Sequence, residues 1–332
     1  MEYRLVGNSG LEISEIGLGT WLTFGGSLNE SEATNLVTAA MNMGINYFDT
    51  ANVYPLGMPS NNSTLTTQAA EIILGKALKR FSRDSYVVST KAYFSMGTGP
   101  NREGLSRKHL IEQCNESLRR LNLEYIDIYY CHRFDPYTPI EETLMALDYL
   151  IRSGKVLYVG VCNWDQNQLA EANEIIKTRG LHPIITNQLK YNMFDRDIEE
   201  ELLPFCEEVG IGITAYSPLA NGVLSGKYKS FQKPPLNSRA SRPETQSMMQ
   251  RYLELEYLRK VEKLNEFAIQ NGMTLPQLAL AWNLRMKNIS SCIVGATSAE
   301  QLSENTKGSD IDLSDEDINE INLFLMNEKQ YI

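Results

Sequence analysis

Four side chains able to do acid–base chemistry, Asp49, Tyr54, Lys91 and His132, stand at or just past the ends of otherwise apolar runs. Asp49 closes Asn46-Tyr47-Phe48-Asp49-Thr50, and Tyr54 follows five residues later. Lys91 ends Tyr86-Val87-Val88-Ser89-Thr90-Lys91, and His132 ends Ile126-Asp127-Ile128-Tyr129-Tyr130-Cys131-His132. Polar groups delivered by successive strand ends are how a parallel barrel builds a site on its C-terminal face. Burying them there for packing alone would be costly. The chemistry they suit is proton transfer to a carbonyl under reduction. A free phenol, with pKa about 10, is a weak donor at neutral pH, and an ammonium beside it lowers that value. Lys91 supplies the charge, Asp49 holds Lys91 ionised, and a neutral His132 polarises and orients the substrate oxygen. Taken singly, each has a plainer reading: a turn-forming aspartate, a loop aromatic, a surface cation, a satisfied core histidine. Together at strand ends they favour chemistry.

The elements that must position these residues alternate along the chain. The turn cluster Gly7-Asn8-Ser9-Gly10 predicts a hairpin within the first fifteen residues. Strands are predicted at Ile16–Trp21, at the runs ending in Asp49, Lys91 and His132, and at Tyr158–Asn163, Ile184–Leu189, Ile211–Ser217 and Ser291–Gly295. Helices are predicted at Glu30–Gly44, Thr67–Phe81, Ser106–Leu121, Gln166–Thr178, Ile198–Glu208 and Leu253–Gln270. Ser106 is a candidate N-cap, and Thr274-Leu275-Pro276-Gln277 has capping-box spacing at the start of a further helix. In Thr138-Pro139-Ile140-Glu141, Thr138 is expected to cap, Pro139 to take the first helical position and Glu141 to reach back. Interleaved strands and helices predict a (β/α)8 TIM barrel with an N-terminal hairpin and long loops at the C-terminal face. Leu219 to Met249, rich in Pro, Ser and Gly, reads as a functional loop over one mouth. No linker divides the chain, so residues 1–332 are expected to form a single domain.

Composition bounds the partners. With 332 residues, 42% hydrophobic and 22% charged, the chain has the make-up of an ordinary globular protein. Its net charge of −10 argues against non-specific nucleic-acid binding. The start Met-Glu-Tyr-Arg has no signal-peptide character, and no stretch approaches the roughly 18 apolar residues of a membrane helix. Cys114, Cys131, Cys162, Cys206 and Cys292 have no paired spacing and read as free thiols. Asn61-Asn62-Ser63 reads as a chance glycosylation match. The expected location is the cytoplasm, without membrane insertion, and no metal ligands are assigned.

At this point the residues resemble a known family, the aldo-keto reductases. Asn46 to Tyr54 resembles the family segment that carries the aspartate and the tyrosine acid, Ser89-Thr90-Lys91 its lysine strand, and Tyr130-Cys131-His132-Arg133 its histidine. Closest is the branch containing the β subunits of voltage-gated potassium channels. The matching segments are Gly19 to Gly26, Gly104 to His109, Thr138 to Thr143, Tyr216 to Ala220 and Thr274 to Ala279. Animal channel subunits often carry Asn where this chain has His132, which makes the tetrad look more like a working reductase's. Because the sequence starts directly at the hairpin, the pore-blocking extension of such subunits is not expected here.

The resemblance implies a bound NADP(H), although no Gly-x-Gly-x-x-Gly is present. It places Thr20, Trp21 and Asp49 near the cofactor, with Cys162 where a serine is common. Asn163 and Gln188 would hold the nicotinamide carboxamide, Tyr216 would stack on the ring, and Ser217, Pro218, Leu219 and Ala220 would line the pyrophosphate. Lys227 and Arg239 would meet the adenosine end, with Gly295, Thr297, Gln301, Glu304 and Asn305 clamping its phosphate and base. The expected activity is reduction of small aldehydes or ketones, with substrate pockets built from Tyr54–Thr66 and Tyr93–Arg102. The alternative is a channel-bound regulatory subunit that senses redox state, and a homotetramer is possible in either case.

Overall fold

The computed structural model describes residues 1–55, 68–236 and 238–326. An antiparallel hairpin, β1 (Tyr3–Leu5) and β2 (Glu12–Ser14), precedes eight parallel strands: β3 (Ile16–Gly19), β4 (Tyr47–Asp49), β5 (Val87–Ala92), β6 (Ile126–Cys131), β7 (Val156–Cys162), β8 (Ile184–Lys190), β9 (Gly212–Tyr216) and β10 (Ile289–Val294). They close into a barrel in sequence order, β10 returning to β3. Outside run α1 (Glu30–Asn42), α2 (Ala69–Leu78), α3 (Arg107–Leu121), α4 (Ile140–Arg152), α5 (Gln166–Arg179) and α6 (Leu202–Val209). After β9 come α7 (Pro243–Met249), α8 (Leu255–Gln270) and α9 (Leu275–Leu284), and after β10 come α10 (Ala299–Thr306) and α11 (Asp315–Leu325). This is the (β/α)8 barrel expected from the alternation.

Strand alternation divides the core in two. Phe48, Val88, Tyr129, Cys131, Val159 and Val161 pack outward under the helices. Tyr47, Val87, Ile128, Tyr130, Cys162 and Ile293 pack within the barrel, joined from below by Val6 and Ile13 of the hairpin. At Gly7, with φ +55°, a Cβ would lie 2.4 Å from the Gly210 oxygen, so only glycine lets the hairpin turn seat against the barrel bottom. Arg4 reaches the carbonyls of Leu284 (2.8 Å) and Ile289 (2.9 Å), fastening the hairpin to the closing seam.

Local signals hold in some places and fail in others. Ser106 accepts the His109 N–H (3.3 Å), and Gln277 accepts the Thr274 N–H (3.0 Å), as their spacing predicts. Thr138 does not cap. Its hydroxyl donates instead to the Asp135 carboxylate (Oδ2, 2.7 Å), and Pro139 takes the N-cap position. Strand β3 stops at Gly19, before Thr20 and Trp21, and β5 runs one residue past Lys91. The stretch 219–249 is not a plain loop: it winds into 3-10 turns at Ala220–Ser225 and Arg239–Ser241 and the helix α7. The predicted start of the second helix at Thr67 and most of the Tyr54–Thr66 loop lie outside the described residues, as does Asn61-Asn62-Ser63.

Inside the barrel, the Tyr47 and Tyr130 hydroxyls lie 3.3 Å apart, and Tyr130 meets the Thr214 hydroxyl at 3.2 Å, forming a polar floor. Gly17 and Gly160 make room for these rings: a Cβ at Gly160 would lie 2.5 Å from Tyr130 Cε1, and one at Gly17 2.6 Å from Tyr47 Cδ1. Gly160→Ala should therefore destabilise the protein by about 1–3 kcal/mol, the usual range for overpacking a filled interior. Urea denaturation of the variant checks this, and an unchanged midpoint would mean that the ring moves freely.

Candidate active site

The inward positions of β4, β5 and β6 end in the residues singled out by chemistry. On β5, Val87, Ser89 and Lys91 alternate with the outward Val88 and Thr90. On β6, Ile128 and Tyr130 lead to His132, just past the strand end. Asp49 is the last residue of β4, in register with Ser89. Its carboxylate accepts three bonds: Oδ2 from Lys91 Nζ (2.6 Å), and Oδ1 from the Ser89 hydroxyl (2.7 Å) and Gln188 Nε2 (3.0 Å). Lys91 is fully buried and also donates to the Thr50 carbonyl (2.8 Å). Burial opposes its charge, but the Asp49 carboxylate prevails and raises the ammonium's pKa.

Tyr54 lies over this pair, its ring centroid 5.1 Å from Lys91 Nζ. Its hydroxyl is 3.5 Å from His132 Nε2, with the rings edge to face. Its carbonyl accepts the Gln68 N–H (2.8 Å) at the start of α2, which fixes the segment that carries it. Contrary to expectation, the phenol is pushed up, to about 12, rather than down. Burial dominates. Lys91 opposes it, but Asp49 sits on the same ammonium and offsets much of its field. His132 is held well below the ordinary histidine value, first by burial and then by Lys91 and Arg133, so it is neutral at physiological pH.

The remaining candidates fall around the same mouth. On β7, β8 and β9, Asn163 (φ +54°) donates its N–H to the Gln188 carbonyl (3.1 Å), and its Oδ1 accepts the Tyr216 hydroxyl (3.1 Å). Gln188 commits its amide nitrogen to Asp49. Cys162 is buried inside the barrel, and burial pushes its thiol up to about 12 against the pull of Lys91. All five cysteines are free and buried. Ser217, also left-handed (φ +54°), begins the turn through Pro218, Leu219 and Ala220, with its carbonyl held by Asn192 Nδ2 (3.1 Å) and the Ala220 N–H (2.9 Å). The Thr20 hydroxyl donates to that of Thr50 (2.8 Å).

Trp21 bridges the two ends of the site, its ring 6.5 Å from that of Tyr54 and 5.9 Å from the Arg239 guanidinium. A Cβ on Gly295 would lie 3.7 Å from Arg239 Nη2, which brings that arginine to the turn before α10. Lys227 is exposed and Arg239 half-buried. Both are lowered by burial first, and Lys227 also by Arg239. Neither has a carboxylate partner among the described residues. On α10, Gln301 Oε1 accepts both the N–H (3.0 Å) and the hydroxyl (3.1 Å) of Thr297, and Asn305 is buried. Glu304 departs from expectation: Gln277 (3.0 Å) and Lys307 (2.6 Å) hold its two oxygens, so it ties α9 to α10. Three contributors went unnoticed in the sequence. Ser89 and the Thr50 carbonyl complete the partners of Asp49 and Lys91, and Arg133 stands beside His132. For Ser89 the signal was present, since it shares the inward face with Lys91.

Comparison with known proteins agrees with this arrangement. A profile of the Aldo/keto reductase family matches residues 15–325. A probable voltage-gated potassium channel subunit beta of Oryza sativa subsp. japonica is 40% identical over 314 residues, covering 94% of this chain and 92% of that protein. Its namesake in Arabidopsis thaliana is 41% identical with the same coverage. The chain therefore belongs to the aldo/keto reductase family, a family of oxidoreductases.

Proposed function

We propose that this protein reduces small aldehydes and ketones to alcohols with NADP(H), using Tyr54 as the proton donor. The convergence of Tyr54, His132 and the Lys91–Asp49 pair at one barrel mouth carries this reading. When bound, the reduced nicotinamide supplies the hydride. Tyr54 gives its proton to the carbonyl oxygen as negative charge develops there. His132, neutral and carrying its proton on Nε2, donates to the same oxygen and orients it. The tyrosinate left behind faces the Lys91 ammonium, which Asp49 keeps charged.

The residues fit a phosphorylated dinucleotide. Asn163, Gln188 and Tyr216 would hold the nicotinamide end, and the turn from Ser217 to Ala220 the pyrophosphate. Arg239, Lys227, Thr297, Gln301 and Asn305 would take the adenosine end. Two neighbouring cations without carboxylate partners, beside a helix N-terminus, favour a cofactor with an extra phosphate. Among the described residues no helix is long and apolar enough to cross a membrane. The cytoplasm is our proposed location, on the signal-free character of the first residues. A second reading, a channel-associated subunit, is favoured by the names of the two relatives. Copurification with the cytoplasmic part of a voltage-gated potassium channel tests it.

Tyr54→Phe should cut carbonyl reduction by a factor of about 10² to 10⁴ and leave NADPH binding nearly intact. Retention of more than half the turnover would sink the assignment. Because Tyr54 stays protonated and His132 neutral, reduction by the wild type should vary little between about pH 7 and about pH 9.

Lys227→Ala and Arg239→Ala should each weaken NADPH by about 1.5–3 kcal/mol while changing NADH less, because a charge-assisted phosphate contact is lost. Fluorescence titration decides the matter, and equal losses for both cofactors would misplace the extra phosphate. His132→Asn should slow single-turnover NADPH oxidation about 10- to 1000-fold without changing cofactor affinity. An unchanged rate would remove His132 from the chemistry and promote the channel-associated reading.

A further inference from the structure

Tyr54 hangs between two attachments, and both lead to helix α3. On one side, the turn that carries it is held at Asn52. The Asn52 N–H donates to the Lys91 carbonyl (3.2 Å), and its side chain turns away from the mouth to donate from Nδ2 to Gln113 Oε1 on α3 (3.0 Å). On the other side, the Tyr54 carbonyl accepts the N–H groups of Gln68 (2.8 Å) and Ala70 (3.4 Å) where α2 begins. Beside Ala70, Glu71 is gripped by Arg120 of α3 (2.5 Å) and by the Thr90 hydroxyl of β5 (2.6 Å). The two helices lie close: a Cβ at Gly75 of α2 would stand 2.2 Å from the Leu121 oxygen of α3.

The two links differ in redundancy. Glu71 is held from two elements, and backbone packing at Gly75 keeps α2 in place besides. Asn52 and Gln113 are 0% and 3% exposed, and Asn52 Oδ1 has no partner. The Gln113 oxygen is thus the sole partner of the Asn52 side chain among the described residues. Remove it, and a buried amide is left with nothing to bond, which favours a shift of the turn that carries it. Tyr54 lies only two residues on, a span too short to absorb such a shift. Its hydroxyl must meet the substrate oxygen at hydrogen-bond distance, and misplacement by about 1 Å costs about a hundredfold in rate. We propose that Gln113, on the outer face of the barrel wall, is a positioning residue that sets the reach of Tyr54 through Asn52. This rests on the reductase reading above.

Single-turnover NADPH oxidation with 4-nitrobenzaldehyde tests the link. Gln113→Met, similar in length but without a strong acceptor, should slow the step about 10- to 100-fold and leave NADPH affinity within about twofold. Gln113→Glu keeps an acceptor oxygen at the same reach and should restore most of the rate. Cys114→Ala opens a cavity on the same helix and controls for general loosening: it should lower the melting temperature and keep the wild-type rate. Asn52→Ala should match Gln113→Met, and the double variant should be no slower than the slower single one. An unchanged rate in Gln113→Met, no rescue by Gln113→Glu, an equal loss in Cys114→Ala, or losses that multiply in the double variant overturns the proposal. If the wild type oxidises no NADPH, the reductase reading fails by itself. The NMR resonance of Tyr54 Cζ, assigned by its loss in Tyr54→Phe, then decides the link. A shift in Gln113→Met that Gln113→Glu reverses supports it, and one position in all three proteins ends it.

Discussion

A fully buried ammonium is the constraint around which the barrel mouth is arranged. Lys91 has no solvent exposure, and an uncompensated charge there would be strongly destabilising. Asp49 removes that penalty only because its own oxygens are satisfied from both sides: Lys91 and Ser89 come from the neighbouring strand and Gln188 from across the barrel. The carboxylate can collect these donors only in a closed sheet with the observed register. Breaking one partner would leave the other charge buried and unpaired, so the pair fixes geometry more than it adds stability.

The same pair governs how far the tyrosine can be tuned. An ammonium alone would draw the phenol toward ionisation; an ammonium already neutralised at 2.6 Å by a carboxylate presents a much weaker field to a ring 5.1 Å away. Burial then wins, and the hydroxyl keeps its proton. For a reductase this is a usable state, since the acid is loaded before hydride arrives and the nearby ammonium acts when charge appears. Labour is also divided around the barrel in the roles we assign. Strands β4 to β6 bear the acid–base groups, and β7 to β10, with the excursion after β9, bear the cofactor contacts.

Most of this layout was legible in the sequence because it follows from local rules. Apolar runs ending in Asp49, Lys91 and His132 place those residues on one inward face by alternation alone. Gly7-Asn8-Ser9-Gly10 announced the hairpin, and capping at Ser106 and Thr274 involves only residues three positions apart. What stayed hidden depended on distant partners. Thr138 lost its cap to Asp135, Glu304 was taken by Gln277 and Lys307, and the direction of the Tyr54 shift required a balance of burial against a paired charge. Helix α11 went unassigned although Ser314 and Asp317 form a capping box at its start.

Closure of the sheet has a consequence for biosynthesis. Strand β3 finds its second neighbour only in β10, with Leu18 opposite Val294, and Arg4 rests on carbonyls near residue 289. A nascent chain leaving the ribosome therefore carries an unsatisfied strand edge from the emergence of β3 until that of β10. Contacts this distant in sequence are slow to form, and exposed edges invite pairing with other chains. The brevity of β3, four residues of which two are glycine, keeps that edge short. Cotranslational folding can build the wall of the barrel strand by strand, but ring closure must wait until β10 has been made.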